Sequence, residues 1–415
     1  IHADYTPDAL LADTHRLALL GAELYYADGQ ILDEVFVHGS FLQSRMYQQG
    51  VTCGDCHDPH SLRQRAPGNI ACARCHARRG LIHADYTPDA PLADTHRLAL
   101  LGEGLYHADG QILDEVFVHG SFLQSRMHQQ GVTCGDCHDP HSLRPRVPGN
   151  SVCARCHAPT RYDTAAHHHH AGGERAGRKG SGTACVDCHM PERTYMVVDD
   201  RADHSLRIPR PDLSDALGTP NACNGCHADQ TPAWAAAQVD AWFREPQRPR
   251  HYGEALAAGR DDAPDAPAAL AALAADADAP AIARATAIDL LADQPAPLDA
   301  DLLTGLAQTD DPLLRAAAAR ALERLPPDAA VRIGLDLLAD PVRLVRIDAV
   351  GSRASVTPVV SHKKGRGAPH RPARAPAHDE TEAAPHPQPE RAQARLNHRQ
   401  LDTQHPRLLK KKKAN

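Results

Sequence analysis

Every cysteine in this 415-residue chain lies in one pentapeptide, Cys-x-x-Cys-His, and the pentapeptide occurs six times. The copies, numbered motifs 1 to 6, are Cys53/Cys56/His57, Cys72/Cys75/His76, Cys134/Cys137/His138, Cys153/Cys156/His157, Cys185/Cys188/His189 and Cys223/Cys226/His227. Two thiols three residues apart match the two vinyl groups of one haem, and the adjacent imidazole is placed to coordinate the iron from the same side. Covalent attachment removes the need for a deep apolar pocket. That suits a chain with only 5 Phe, 9 Tyr and 2 Trp, in which six haem c groups would provide interior that aromatic side chains do not. Zinc ribbons also use paired cysteines, but zinc does not require a His after every second Cys. A disulfide framework predicts irregular spacing instead.

Six proximal histidines leave 22 of the 28, and 15 of those lie between His2 and His227. Low-spin haems that carry electrons need a second axial ligand, commonly His, which gives this surplus a use. His60 and His141 each follow a motif as CHDPH. Three residues from the proximal His, neither reaches the opposite face of its own haem, but each is free to ligate a neighbouring one. His128 precedes motif 3 in RMHQQGVTC, where the matching residue of the first copy is Tyr47. His167–His170 form a run before motif 5, with His168 standing for the one member expected to ligate, and His204 follows that motif in DDRADHSLRIP. His2, His15, His38 and their counterparts His83, His96 and His119 read first as surface or packing histidines. Met190 and Met196 are thioether candidates, although Met190 directly follows its own proximal His189.

Residues 1–77 and 82–158 repeat at an offset of 81 and differ at 9 of 77 positions. So close a match implies a recent duplication or a gene-assembly event. Each copy pairs a segment expected to be mostly helical, ADTHRLALL and then ILDEVFVHGSFLQSRM, with a Gly/Pro-punctuated segment that holds two motifs. From about Pro232 the composition shifts to Ala, Leu and Asp, and Arg284, Arg315 and Arg346 recur every 31 residues on Ala/Leu-rich segments. That period predicts short HEAT-like helical repeats stacked in a small solenoid, with an ordinary Ala-rich bundle as the alternative. Pro280, Pro312 and Pro341 fall where first helical turns would begin. The expected organisation is a duplicated dihaem block at 1–81, a multihaem cytochrome domain at 82–231, helical repeats at 232–351 and a disordered basic tail at 352–415. The fold class is mainly α, loop-rich around the haems and with few strands.

The first 351 residues carry 31 Lys/Arg against 47 Asp/Glu, whereas the tail carries 14 against 5 and ends in Lys410–Lys413. A body this acidic is not expected to hold nucleic acid. The tail is the only segment suited to an anionic surface. No apolar run approaches the roughly 18 residues of a membrane span, so no integral membrane segment is expected. The chain begins at Ile1 without a basic-then-apolar leader, which reads as a removed signal peptide or a truncation.

The stretch from about Ala71 to Phe243, with CARCHARRG, LYHADGQILDEVFVHGSFLQSRMHQQGVTCGDCHDPHS, HHHH, CVDCHMPERTYMVVDDRADHSLRIPRP and LGTPNACNGCHADQ, resembles multihaem c-type cytochromes of the cytochrome c nitrite reductase and hydroxylamine oxidoreductase superfamily, here fused to HEAT-like repeats. The resemblance implies that His128, before a GVTC-type motif, and His204, in a DH-S element, are distal ligands. Relatives generally carry further haem motifs upstream, and none precedes Cys53. Two departures bear on enzymology. The nitrite reductases hold their active haem by Cys-x-x-Cys-Lys, which is absent, and neither Tyr162 nor Tyr195 sits in the context of the tyrosine that the hydroxylamine oxidoreductases cross-link to haem.

Three readings follow. The leading one is an electron-transfer protein that passes electrons through six haems between redox partner proteins, with the helical repeats as a docking surface. The alternative is a multihaem oxidoreductase acting on a small nitrogen or sulfur compound of the nitrite or hydroxylamine type at one open haem. The third is an interaction protein shaped by zinc-bound cysteine pairs. Because haem c is attached outside the cytoplasm, the first two imply a bacterial periplasmic or cell-surface location.

Overall fold

The computed structural model describes residues 37–57, 68–83, 90–114, 117–171, 180–195, 199–243 and 249–354. His60, Met196, the first copy's ADTHRLALL and nearly all of the tail lie outside these residues. The described chain is mainly helical, with two small hairpins as its strands. In one, β1 (Arg79–Leu81) pairs antiparallel with β2 (His96–Leu98); in the other, β3 (Glu192–Tyr195) pairs with β4 (Asp199–Ala202).

The motif-bearing half is built from single turns. TCGDC forms one turn at Cys53–Cys56 and again at Cys134–Cys137, because the Asp three residues after Thr takes both the backbone N–H and the hydroxyl of that Thr, at 2.7 and 2.8 Å for Thr133 and Asp136. Motif 6 uses Asn221 instead, whose side chain accepts from the Asn224 N–H at 2.9 Å. The expected long helices are shorter than their pattern suggests. In the second copy ADTHRLALL gives one turn, Leu92–Thr95, before His96–Leu98 leaves to pair with β1. ILDEVFVHGSFLQSRM breaks into Val118–Phe122 and Arg126–Gln129, since Ser125 caps the second turn by accepting from the His128 N–H. Gly120 is required here, because a Cβ would collide with the Tyr106 hydroxyl.

From Tyr252 the chain forms seven helices: α1 (Tyr252–Arg260), α2 (Ala266–Ala275), α3 (Ala281–Asp293), α4 (Ala300–Ala307), α5 (Pro312–Ala321), α6 (Pro327–Leu338) and α7 (Arg343–Ala354). α3, α5 and α7 pack side by side as one layer, and α2, α4 and α6 pack against them as the second. Pro280 and Pro312 stand at helix starts, as expected. The 31-residue period has a physical basis in the inner layer. Ala283, Leu314 and Val345 are equivalent buried positions, and the arginine that follows each ties down the turn before it. Arg315 donates to the carbonyls of Thr309 and Asp310 at 2.9 Å, Arg346 to those of Asp340 and Pro341 at 2.6 and 2.8 Å, and Arg284 to that of Ala274 at 3.0 Å.

The array is joined to the second copy. Leu101, Tyr106 and Ile112 share its apolar core. Arg260 donates to the carbonyls of Tyr106 and Leu101 at 3.0 and 2.7 Å, and the Leu101 N–H donates to the Thr286 hydroxyl at 3.1 Å. Arg97 and Arg320 both pair with the buried carboxylate of Asp348. By contrast the motif-bearing half has little apolar core of its own. Among the described residues before Pro232, only ten apolar side chains are buried, and three of those belong to the array's core.

Candidate haem sites

The six motifs follow one another through space in sequence order. Burial, and after it the charge of Cys72 in motif 2, raises the pKa of Cys56 in motif 1. Cys72 shares a thiol–thiol hydrogen bond with Cys134 of motif 3, which lowers the first thiol and raises the second. Burial, Asp136 and then Cys156 of motif 4 raise Cys137 of motif 3. Cys153 of motif 4 shares a hydrogen bond with Cys185 of motif 5. Burial and then Cys223 of motif 6 push Cys188 of motif 5 up to about 11. Successive attachment points are therefore neighbours along the whole series.

The twelve thiols are not equivalent. Cys75 of motif 2 and Cys226 of motif 6 are exposed, as are Cys53 of motif 1 and Cys156 of motif 4, whereas the other eight are partly buried. The physical reason is the thin packing of this half. Motifs 3 and 5 turn both thiols toward neighbouring motifs, whereas motifs 1, 2, 4 and 6 each leave one thiol at the surface. In motifs 2 and 6 the inward thiols are Cys72 and Cys223, while Cys75 and Cys226, on the following turn, act on Cys56 and Cys188 only as weaker charges.

Two of the junctions between motifs are built alike. The Asn69 side chain accepts from the backbone N–H of Cys134 at 2.7 Å, and Asn150, at the equivalent position of the second copy, accepts from that of Cys185 at 2.9 Å. Asn150 also donates to the Thr183 carbonyl and the Asp163 carboxylate, both at 2.9 Å.

Four proximal imidazoles face a second imidazole. The ring centroids are 6.1 Å apart for His57 and His141, 6.3 Å for His138 and His204, 6.1 Å for His189 and His167, and 6.2 Å for His227 and His170. An imidazole nitrogen lies about 2.0 Å from a bound first-row metal and about 1.2 Å from its ring centre, so two rings on opposite sides of one ion have centres roughly 6.4 Å apart. The observed spacings fit one six-coordinate iron between the members of each pair.

The rings are also turned for ligation. Nδ1–H donates to a backbone carbonyl in His138 (Leu143, 3.1 Å), His189 (Arg207, 2.8 Å), His204 (Ala202, 2.9 Å) and His170 (His168, 2.5 Å). A carbonyl only accepts, so Nδ1 carries the proton and Nε2 keeps its lone pair for iron. His141 is held chiefly through its backbone. Its Nδ1 lies 3.6 Å from the Asp139 carboxylate, which also takes its backbone N–H at 3.1 Å. Among the described residues, three of the four non-glycine positions with positive φ stand in the loops that present these carbonyls: Leu143 itself, His169 beside His168, and Leu206 beside Arg207. Backbone strain is thus concentrated where the imidazoles are aimed. Burial lowers the pKa of His204 and His167 and keeps both neutral at ordinary pH.

The other candidates stand as follows. Within the His run, His167 and His170 are the members brought to iron-bridging spacing, while His168 accepts the His170 backbone N–H at 3.2 Å and His169 stacks on Trp242 at 4.3 Å. His128 packs edge-on against Phe122 at 5.5 Å, as Tyr47 does against Phe41 at 5.7 Å in the first copy. It lines a cavity of about 330 Å³ that is also walled by the motif 2 helix through Asn69, Ile70 and Ala73, and by His119. Burial takes His119 down to about 4, and His128 and His76 are its charged neighbours. His119, which the sequence ranks with the surface or packing histidines, thus lies beside His128 in this cavity. His157 of motif 4 is exposed, and among the described residues its closest ring contact is Tyr162, edge-on at 5.9 Å.

The donor set thus fits haem c on three counts: the imidazole spacings, the thin apolar interior around the motifs, and an orphan donor. Arg207 is buried between Asp109 and Asp203 at 3.4 and 3.2 Å, and its Nη2 has no hydrogen-bond partner. It lines a small cleft beside Cys188, where a porphyrin carboxylate would satisfy it. Among the described residues no three Cys, His, Asp or Glu side chains converge as a closed zinc site requires.

A cytochrome c552 family model matches residues 176–285, which contain motifs 5 and 6 and the start of the helical array. No curated protein matches the chain. Among solved structures, the crystal structure of outer cell wall cytochrome OcwA is similar at 15% identity, covering 74% of this chain and 70% of that one, with a TM-score of 0.36. That likeness is too distant to bear on function. The six pentapeptides and the cytochrome c552 match over residues 176–285 support covalent haem c sites of the kind found in multihaem c-type cytochromes.

Proposed function

We propose that this chain is an extracytoplasmic electron carrier in which six haems, attached at motifs 1 to 6, form one conduit in sequence order between a donor and an acceptor protein. The observation that carries the reading is the unbroken succession of neighbouring attachment cysteines from Cys56 to Cys223. When bound, haem c supplies a one-electron Fe(III)/Fe(II) couple. The chain's own residues do the rest. The inward thiols fix each attachment point beside the next, and the exposed ones, Cys75 and Cys226 among them, leave a porphyrin edge open to a partner. His57, His138, His189, His227, His76 and His157 would hold the irons as the histidines next to their thiols, and His141, His204, His167 and His170 would supply the second imidazole for the first four. Two strong ligands leave such an iron no position for substrate, which favours electron passage over chemistry at the metal. On this reading residues 1–231 are the haem-bearing part, and the HEAT-like helices that follow are a docking surface for a redox partner. No described helix is long and apolar enough to cross a membrane.

The test is a haem count by pyridine haemochrome, combined with low-temperature electron paramagnetic resonance of the oxidised protein. Six haems with predominantly low-spin signals are expected. Fewer haems, or mostly high-spin iron, would overturn the reading. A second reading, an oxidoreductase acting on a small nitrogen or sulfur compound, is favoured by motif 4 alone, where Tyr162 and not a second imidazole lies against His157. It requires a high-spin signal that shifts on addition of nitrite or hydroxylamine.

A further inference from the structure

The duplicated copies are not side-by-side modules, because the imidazole facing His57 of the first copy belongs to the second. His141 lies 84 residues downstream, at 6.1 Å between ring centres and 10° between ring planes. The second copy hands on its own first haem in the same way. His138, the counterpart of His57, faces His204 from the segment beyond. The latches at the two junctions are also the same, Asn69 with Cys72 against Cys134 and Asn150 with Cys153 against Cys185. The downstream edge of the repeat therefore accepts two partners that share little beyond a Cys-x-x-Cys-His turn. One is another copy, which offers a His three residues past its proximal ligand. The other is the terminal segment, which offers one fifteen residues past it in the turn that follows β4.

We infer that the 81-residue repeat is an iterable dihaem cassette, and that the splice between cassettes is a metal bond from His141 to the motif 1 iron of the preceding copy. The inference rests on the electron-carrier reading and adds to it a rule for lengthening. Each inserted copy adds two haems to the middle of the conduit, while the first junction and the terminal segment stay unchanged. Asp139 positions the splice ligand through both its backbone N–H and its ring. This gives the DPH that follows motif 3 a role in joining copies that its own haem does not need.

The haem-loaded full chain carrying His141→Ala is examined by low-temperature electron paramagnetic resonance beside the parent protein. One haem in six is expected to become high-spin, and that signal disappears when Cys53→Ala and Cys56→Ala are added. A spectrum unchanged by His141→Ala, or a new signal that survives the loss of motif 1, overturns the splice. His141→Met is the complementary variant. It keeps the iron low-spin and raises the potential of a single haem, since thioether ligation favours the ferrous state; an unshifted titration counts against the splice. A chain with one further copy of residues 82–162 inserted after position 162 is expected to gain two haems by mass, with added low-spin iron from the copied His138. A gain other than two haems, or no added low-spin signal, rejects the cassette. The parent spectrum and haem count, measured in the same series, decide the carrier reading separately.

Discussion

At the scale of single residues, the sites depend on small groups that make room for imidazoles or orient them. Gly182, at φ +74°, lies so close to His170 that a Cβ would collide with the ring. Gly182→Ala is therefore expected to push His170 away from His227 and convert one low-spin haem to high-spin, read by electron paramagnetic resonance, with the haem count unchanged. His251 shows a second use of a neutral imidazole. Its Nδ1 caps α1 by accepting the Gly253 N–H at 3.1 Å, and burial, with Arg207 next in effect, takes it down to about 4. The unfolded chain binds this proton near pH 6.5 and the folded chain only near 4. The stabilisation is thus complete above about 6.5 and is lost as the pH falls toward 4, a difference of up to about 3 kcal/mol. Urea unfolding at pH 7 and pH 4.5 is expected to show that loss. His251→Asn keeps a capping acceptor that does not titrate and removes this share of the slope.

At the scale of elements, the recurrent arginines of the array and the asparagines of the haem junctions do similar work, since each satisfies backbone groups of a turn that packing alone would not hold. Arg315 also meets the buried Asp340 carboxylate through two nitrogens, at 2.6 and 3.1 Å. Arg315→Ala removes the counter-ion of that carboxylate, leaving it the Val342 N–H at 2.8 Å, strips two turn carbonyls of their donor, and is expected to cost about 3 kcal/mol in urea unfolding. A loss below about 1 kcal/mol would show that water replaces the pair. Asn150→Ala removes three hydrogen bonds that tie motif 4 to the approach to motif 5, with an expected cost of about 2 kcal/mol. Limited proteolysis should locate the loosened segment between Thr183 and Cys188. The period of 31 was readable because it repeats a local need, an arginine on the first turn of a helix. The asparagine latches were not, because each serves a cysteine 35 or 65 residues away.

At the scale of the whole molecule, the motif-bearing half and the helical array divide two physical tasks. The array has an apolar core of Ala, Leu and Ile and holds itself together. The motif-bearing half has few such residues and is braced from one side by Arg97, Leu101 and Tyr106 and internally by its paired sites. It follows that loss of haem should damage the two halves unequally. Hydrogen exchange of protein prepared without haem is expected to retain slow amides in α3, α5 and α7 and to lose protection across residues 126–227. Uniform loss in both would mean that the array depends on the haems for its own fold.

The sequence by itself determined where the attachment motifs stand, which six histidines adjoin their thiols, and that a periodic helical array follows. Each of those is a requirement met within a few consecutive residues: two thiols and an imidazole on one turn, or an arginine and a proline at a helix start. It also held the clue that the second histidine of CHDPH cannot serve its own haem. Which thiol of a motif turns inward, leaving Cys75 and Cys226 at the surface, depends on the neighbouring motif and is not written in the pentapeptide. Which imidazole faces which was likewise decided only by the tertiary structure. The partners are 84, 66, 22 and 57 residues apart along the chain, and a sixth ligand approaches through space along loop paths that no local pattern records. For the same reason the sequence marked His168 within its run, whereas the fold turned His167 and His170 toward the neighbouring motifs.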